Sequence, residues 1–361
     1  MLIGDGGGPI LATPRTRITT PTPVPEAAPQ APHDSSSCFL SALSDNWGNL
    51  GFDDKGDLSQ GKIDSLMENP SLKGSQAAEV AELKNMSNGK GVTESQLESY
   101  AKTEQKDPTL DGGYDYYQQR VGDESSKLFA NGQPSPDAIN QGQLGDCYFL
   151  SSVSGEAKLD PSGVVNMITD DQDGHYTVKF PGQQNAVTIA GPTEAEEARG
   201  CDSGQDGTWA AVLEKAYGVS RSSSNASDPY QAIENGGTTQ GLQTMTGGDI
   251  KSVGLDQKSS WFNPFSWGNS DKNDRSNVEK AISSGQLATV ATSGSVDGVP
   301  GDHMLTLEGY DPTTDTVTIR NPWGSEPANS NVTDLGNGNF SMKFDQFDKT
   351  FTTLDYQQKS I

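Results

Sequence analysis

The spacing of the apolar residues changes along the chain, and that change restricts the fold more than any other feature. From Cys38 to Thr103 they fall at helical intervals. Phe39, Leu40 and Leu43 start one amphipathic stretch, Ile63, Leu66 and Met67 a second, and Val80, Leu83 and Met86 a third. Residues 209–217 repeat the pattern, with Trp209, Val212, Leu213 and Ala216 on one face, and residues 280–284 read as a short helix closed by Gly285. Strand-like runs dominate elsewhere: 175–180 and 187–189 around a Pro-Gly-containing turn, then 288–292, 304–307, 317–319 and 340–344. Helices first and strands later predict an α+β chain, and no internal repeat interrupts the order.

Composition adds boundaries. The 361 residues suit a catalytic-sized domain with additions, and 32% hydrophobic content beside 41 glycines allows a core only if part of the chain stays outside it. Residues 1–37, with Thr20-Pro21-Thr22-Pro23-Val24-Pro25, read as a disordered Pro/Thr-rich tail. A small helical region follows over 38–105, and the rest, 110–361, reads as the main domain. The net charge of −24, unrelieved by any basic cluster, excludes nucleic acid as a natural partner and disfavours anionic membranes. No apolar run is long enough to span a bilayer, so membrane insertion is not expected. Cys38, Cys147 and Cys201 are odd in number and far apart, which argues against a disulfide scaffold and for a reducing compartment. With no visible signal peptide, the expected location is the cytoplasm, or outside the cell by a non-classical route.

Within the helical region, residues 51–62 resemble an EF-hand loop. Gly56 takes the glycine position, but Lys62 stands at position twelve, where calcium needs a bidentate acid. A lysine there repels the ion, so the loop reads as degenerate.

The chemistry is concentrated in three segments. Cys147 follows Gln141-Gly142-Gln143-Leu144-Gly145-Asp146 and precedes the apolar run Tyr148-Phe149-Leu150. If that run is a helix, Cys147 lies in its first turn, where the unpaired N–H groups favour a thiolate. Of three histidines, His33 lies in the tail and His175 at a hairpin edge. His303, opening a strand after Pro300-Gly301-Asp302, is the better partner for a thiol. Asn321 ends the strand before Pro322-Trp323-Gly324 and can accept a hydrogen bond from an imidazole, with Trp323 covering it. Gln141 can present its side-chain N–H to an oxyanion beside the backbone N–H of Cys147. Taken singly, each residue also has a plain structural explanation, a surface histidine, a turn asparagine, a polar loop glutamine.

Together these segments resemble the calpain family of cysteine proteases, from about Leu128 to Phe347. The matches are Gln-Gly-x-Leu-Gly-Asp-Cys plus an aromatic at 141–148, Leu213-Glu214-Lys215-Ala216-Tyr217 after Trp209, the glycine-rich stretch 236–241 with Thr246-Gly247-Gly248, and 319–324. The resemblance implies a two-lobed papain-like fold, a helical lobe carrying the cysteine and a β-rich lobe carrying the histidine and asparagine. It also implies that Gly236, Gly237 and Trp323 contact an extended peptide. Departures are Tyr148 for tryptophan, Asp302 for a glycine before the histidine, and Ala138 where calpains carry a calcium-binding aspartate. No cofactor is required by thiol chemistry, and Lys62 and Ala138 weigh against a calcium requirement. The expectation is an isolated protease core without further calpain domains.

The leading function is therefore a cysteine endopeptidase making limited cuts in protein substrates. Cys147 and His303 would act as an ion pair, Asn321 would orient the ring, and Gln141 would line the oxyanion hole. A catalytically silent peptide-binding module is the alternative, and a transglutaminase-type acyl transferase is disfavoured by Asn321. Oligomeric state is not legible.

Overall fold

Polar turns with left-handed glycines break the chain into short elements, and the apolar faces of those elements settle into three buried clusters. The computed structural model describes residues 39–43, 50–104, 113–122, 126–222, 228–255, 270–296, 298–325, 327 and 331–358. All belong to one compact unit, Asp34–Ile361. The readings for the 1–37 tail, Cys38 and His33 fall outside the described residues.

Residues 39–43 are helical, followed by α1 (Gln60–Met67), α2 (Ser75–Ser87), α3 (Glu94–Glu104) and α4 (Tyr114–Arg120). Ile63, Leu66, Met67, Val80 and Leu83 are buried here with Phe39 and Leu43, as helical spacing requires. The loop at 51–62 is paired with a second loop: Leu58 and Val92 exchange backbone hydrogen bonds of 2.7 and 2.8 Å. Asp53 turns inward on its own loop, its Oδ1 accepting from the N–H groups of Lys55 and Asp57. The lower core is completed by Ala195 and Ala198 from α7 (Glu194–Arg199), so the helical region packs on the main domain through that helix.

The second cluster surrounds α5 (Cys147–Leu159), α6 (Pro161–Met167), α8 (Trp209–Arg221) and α9 (Gln240–Thr246). Beside it lies a three-stranded antiparallel sheet of β1 (Ile168–Asp170), β2 (His175–Val178) and β3 (Val187–Ala190). The third cluster covers a seven-stranded antiparallel sheet of β4 (Asp249–Gly254), β5 (Ala288–Ala291), β6 (Met304–Asp311), β7 (Thr316–Arg320), β8 (Thr333–Gly336), β9 (Asn339–Lys343) and β10 (Thr353–Gln358). Its order is β4-β10-β5-β6-β7-β9-β8, with α10 (Ser270–Ser283) and α11 (Phe344–Thr350) contributing to the same core. The mixed helix and sheet architecture agrees with the α+β reading.

Several boundaries differ from the sequence reading: β6 runs on to Asp311 and α8 to Arg221, while β2 stops at Val178. The strand read through Phe344 ends at Lys343. Phe344 instead starts α11 and stacks its ring 5.4 Å from Phe347, which lies 5.0 Å from Phe351, a helical spacing of aromatics. The helix closed by Gly285 is also longer, running from Ser270.

Candidate active site

Cys147 is the first residue of α5, with Asp146 at the N-cap position. The helix is pinned to the sheet by Thr306 on β6, whose hydroxyl donates to the Ser151 carbonyl at 2.7 Å. His303 directly precedes β6 and Asn321 directly follows β7, and these neighbouring strands bring the two side chains together. His303 Nε2 lies 2.8 Å from Asn321 Oδ1, both residues buried. With Nε2–H donating to the amide oxygen, Nδ1 is left as the base nitrogen. The backbone N–H of Met304, next to His303, acts on the Cys147 thiol and lowers its pKa, so thiol and imidazole share one site. Trp323 lies over the His303 ring with centroids 4.4 Å apart, and its own N–H donates to Asn321 Oδ1 at 3.2 Å.

Burial pushes the Cys147 thiol up to about 11, against the lowering effect of the Met304 N–H. Burial lowers His303, against the raising effect of its bond to Asn321. Both directions favour neutral thiol and neutral imidazole in this conformation rather than the ion pair expected from the sequence.

A profile of the family described as calpain family cysteine protease matches residues 118–357, about two-thirds of the chain. The chain belongs to the calpain family of cysteine proteases. Among its relatives, the calpain-type cysteine protease ADL1 of Oryza sativa subsp. japonica is 29% identical over 217 residues, covering 55% of this chain and 9% of that protein. The calpain-type cysteine protease DEK1 of Arabidopsis thaliana is 28% identical over 219 residues, 57% of this chain and 10% of the relative. Calpain clp-1 of Caenorhabditis elegans is 27% identical over 270 residues, 63% of this chain and 33% of the relative. The chain thus spans about a tenth of the plant proteins and a third of the nematode one.

In this calpain-family chain Gln141 is held from two sides. Its backbone N–H donates to the Pro322 carbonyl at 2.8 Å, tying it to the asparagine loop. Its side-chain nitrogen donates to the Leu144 carbonyl at 2.7 Å and to Asp146 Oδ1 at 3.2 Å, so the amide is anchored inward. Gly236 lies against the ring of Tyr148, where a Cβ would come within 2.0 Å of Cζ, and the Tyr148 hydroxyl donates to the Ile233 carbonyl. Gly237 is exposed, but its N–H donates to Gln240 Oε1 and its carbonyl accepts from the Gln240 N–H. The backbone groups read as open to substrate are engaged in a turn. Asp302 has φ +50, the left-handed region in which glycine is at ease, so this departure carries local strain.

Four polar residues behind the site escaped the sequence reading. Arg320, fully buried, reaches from β7 to the Ile139 carbonyl at 2.7 Å and Ser154 Oγ at 3.3 Å, joining sheet and helix. Arg120 donates to the carbonyls of Ala198, Asn140 and Gly200 and pairs with Asp202 at 2.8 Å, which fixes the segment entering Gln141. Asp146 and Glu214 are buried together beside Cys147. Asp146, Glu214 and Arg320 lie inside the quoted motifs, the signal the sequence offers for them, and Arg120 lies outside all of them.

Among the described residues no cluster of three or more His, Cys, Asp or Glu side chains is arranged to hold a metal, and no helix is long and apolar enough to cross a membrane.

Proposed function

We propose that the chain is a calpain-like cysteine endopeptidase that makes limited cuts in protein substrates, built on a two-lobed papain-like frame. One observation carries the reading: a buried asparagine–imidazole hydrogen bond of 2.8 Å beside a thiol at a helix start. His303 Nδ1 takes the proton from Cys147 as sulfur attacks the scissile carbonyl, and the charge passes to the carbonyl oxygen. The Cys147 N–H and one Gln141 amide hydrogen receive that oxyanion, the latter leaving its longer contact to Asp146. The imidazolium then protonates the leaving amine, the C–N bond breaks, and an acyl-enzyme remains. Water, losing a proton to His303, hydrolyses the thioester and restores the thiol. Asn321 holds the ring and Trp323 shields it from water, while Gly236 and Gly237 border the peptide.

The helical region over 38–105 serves as an accessory to the domain at 110–361. Lys84 on α2 sits 2.6 Å from both Asp64 and Asp228, and Asp228 leads toward the Gly236 segment. The chemistry needs no cofactor, and its setting is the cytoplasm or a destination reached without a classical signal peptide.

The engaged Gln141 amide and Gly237 N–H favour a second reading, a silent peptide-binding module. Incubating an unfolded protein with wild type and Cys147→Ala separates the two. Cleavage by wild type alone supports the protease; an intact protein in both lanes, with retained binding, moves the assignment to the module.

A further inference from the structure

Asp146 stands at the N-cap position of α5 without capping it: its side chain makes no hydrogen bond to the first turn and is fully buried. Oδ1 accepts from the Gln141 amide at 3.2 Å, while Oδ2 faces no donor. What Asp146 meets instead is the carboxyl group of Glu214, on α8, near enough that each alters the other's proton affinity. Glu214 is also buried. Both of its oxygens lie 3.0 Å from the Cys201 N–H, and a Cβ on Gly200 would fall 2.2 Å from Oε2, so glycine leaves it room. Two carboxylates facing each other away from water repel, and a hydrogen bond between them requires a proton. Burial raises both groups, and Glu214 raises Asp146 further. Glu214 has the Cys201 N–H and the charges of Arg120 and Arg199 to stabilise an anion. Asp146 has its own backbone N–H and the Gln141 amide, and no cation. The proton therefore belongs on Asp146 Oδ2, which also satisfies the atom that otherwise lacks a partner.

We propose that Asp146 and Glu214 are positioning residues that share one proton, carried by Asp146, so that the residue before the nucleophile stays uncharged and yields the Gln141 amide to a developing oxyanion. This rests on the thiol-protease reading above. A neutral carboxyl oxygen is a weaker acceptor than a carboxylate, so the 3.2 Å contact exchanges readily, while the Leu144 carbonyl keeps the amide in place. An ionised Asp146 would grip the amide and oppose the thiolate one residue away. The charged and titratable groups facing the pair are Cys147, Tyr148, Cys201, Asp202, Arg120, Arg199 and Tyr230. Cys147, Cys201 and the two tyrosines are all raised and stay neutral near pH 7, and Asp202 is tied to Arg120 at 2.8 Å.

Two isosteric variants of the full chain test the pair. Asp146→Asn copies the protonated acid, offering an oxygen to Gln141 and an N–H to Glu214. Glu214→Gln sends an N–H toward Asp146 and so places the negative charge beside Cys147. The readouts are kcat against pH and the rate of iodoacetamide alkylation of Cys147. Asp146→Asn is expected to keep kcat within about fivefold, the worth of one neutral hydrogen bond. Glu214→Gln should lower kcat by about 10–100-fold, less than complete loss of an oxyanion donor, and slow alkylation by about tenfold near neutral pH. The reverse ranking, or two variants indistinguishable from wild type in both readouts, overturns the proposal. If wild type cleaves nothing, the protease reading fails on its own, while the alkylation ranking still decides the pair. Infrared difference spectra of wild type minus Asp146→Asn provide a further decision should Glu214→Gln not fold. A protonated-carboxyl band present in wild type and lost in the variant supports the shared proton, and its absence from wild type overturns it.

Discussion

Replacing Asn321 by alanine isolates what the amide contributes to the histidine. Asn321 Oδ1 accepts from His303 at 2.8 Å in a buried site, and the ring gains positive charge during proton transfer from the thiol. A hydrogen bond to a charged group is worth about 1.5–3 kcal/mol, so losing this one should lower kcat by about 10–150-fold, with KM little changed. The same bond opposes the lowering of His303 by burial. Without it the imidazole pKa falls further, and the acid limb that reports His303 protonation moves to lower pH. Because Asn321 also donates to the Ser325 carbonyl at 2.8 Å and accepts from the Trp323 N–H, loop loosening must be separated from ring orientation. Asn321→Asp keeps an acceptor for the ring but adds a negative charge and turns an oxygen toward the Ser325 carbonyl, so it should raise the ring's proton affinity above that of wild type and move the acid limb upward. The assay is kcat and KM against pH on a short peptide, with NMR titration of the His303 ring in a Cys147→Ala background. For Asn321→Ala, a drop as complete as that of Cys147→Ala, an unchanged kcat, or an acid limb moving upward would each refute the argument.

Other changes test the frame. Lys84→Met leaves Asp64 and Asp228 facing each other, both mostly buried, and should cost about 3 kcal/mol in urea unfolding at neutral pH; a loss below about 1 kcal/mol would show that the bridge holds nothing. Gly236→Ala drives a methyl group into the Tyr148 ring and should destabilise by about 1–3 kcal/mol while impairing cleavage, whereas unaltered kcat and Tm would contradict the contact. Asp302→Gly relieves a left-handed residue and should raise stability by up to about 1 kcal/mol; a fall in Tm would mean that the aspartate side chain is itself stabilising. Chelation of calcium should leave cleavage unchanged, since the Lys62 side chain reaches the start of its own loop, its Cε 2.8 Å from where a Cβ on Gly51 would stand; loss of activity in chelator would reverse that reading.

Each group proposed to react sits at the end of an element: Cys147 opens α5, His303 precedes β6 and Asn321 follows β7. Element ends carry local signals in sequence, an apolar run, a turn, an aromatic after proline. β4 and β10 carried none. Asp249–Gly254 and Thr353–Gln358 do not alternate cleanly, and β10 buries Asp355 although it lies between β4 and β5. The partner of the degenerate loop was hidden for a related reason. The ligand positions of an EF-hand loop all lie within 51–62, whereas the pairing is between the backbones of Leu58 and Val92. What brings the reactive ends together was least visible, because it rests on residue types that argue for the surface when read alone. Arg320 is fully buried and spans 181 residues to the Ile139 carbonyl, and Arg120 crosses 80 to that of Gly200. Such side chains go inside only where carbonyls at loop ends would otherwise lack donors. Those carbonyls belong to segments beside Gln141, so the buried charges mark where the site demands fixed backbone. Replacing them with apolar residues would leave Cys147, His303 and Asn321 in the sequence and lose their alignment.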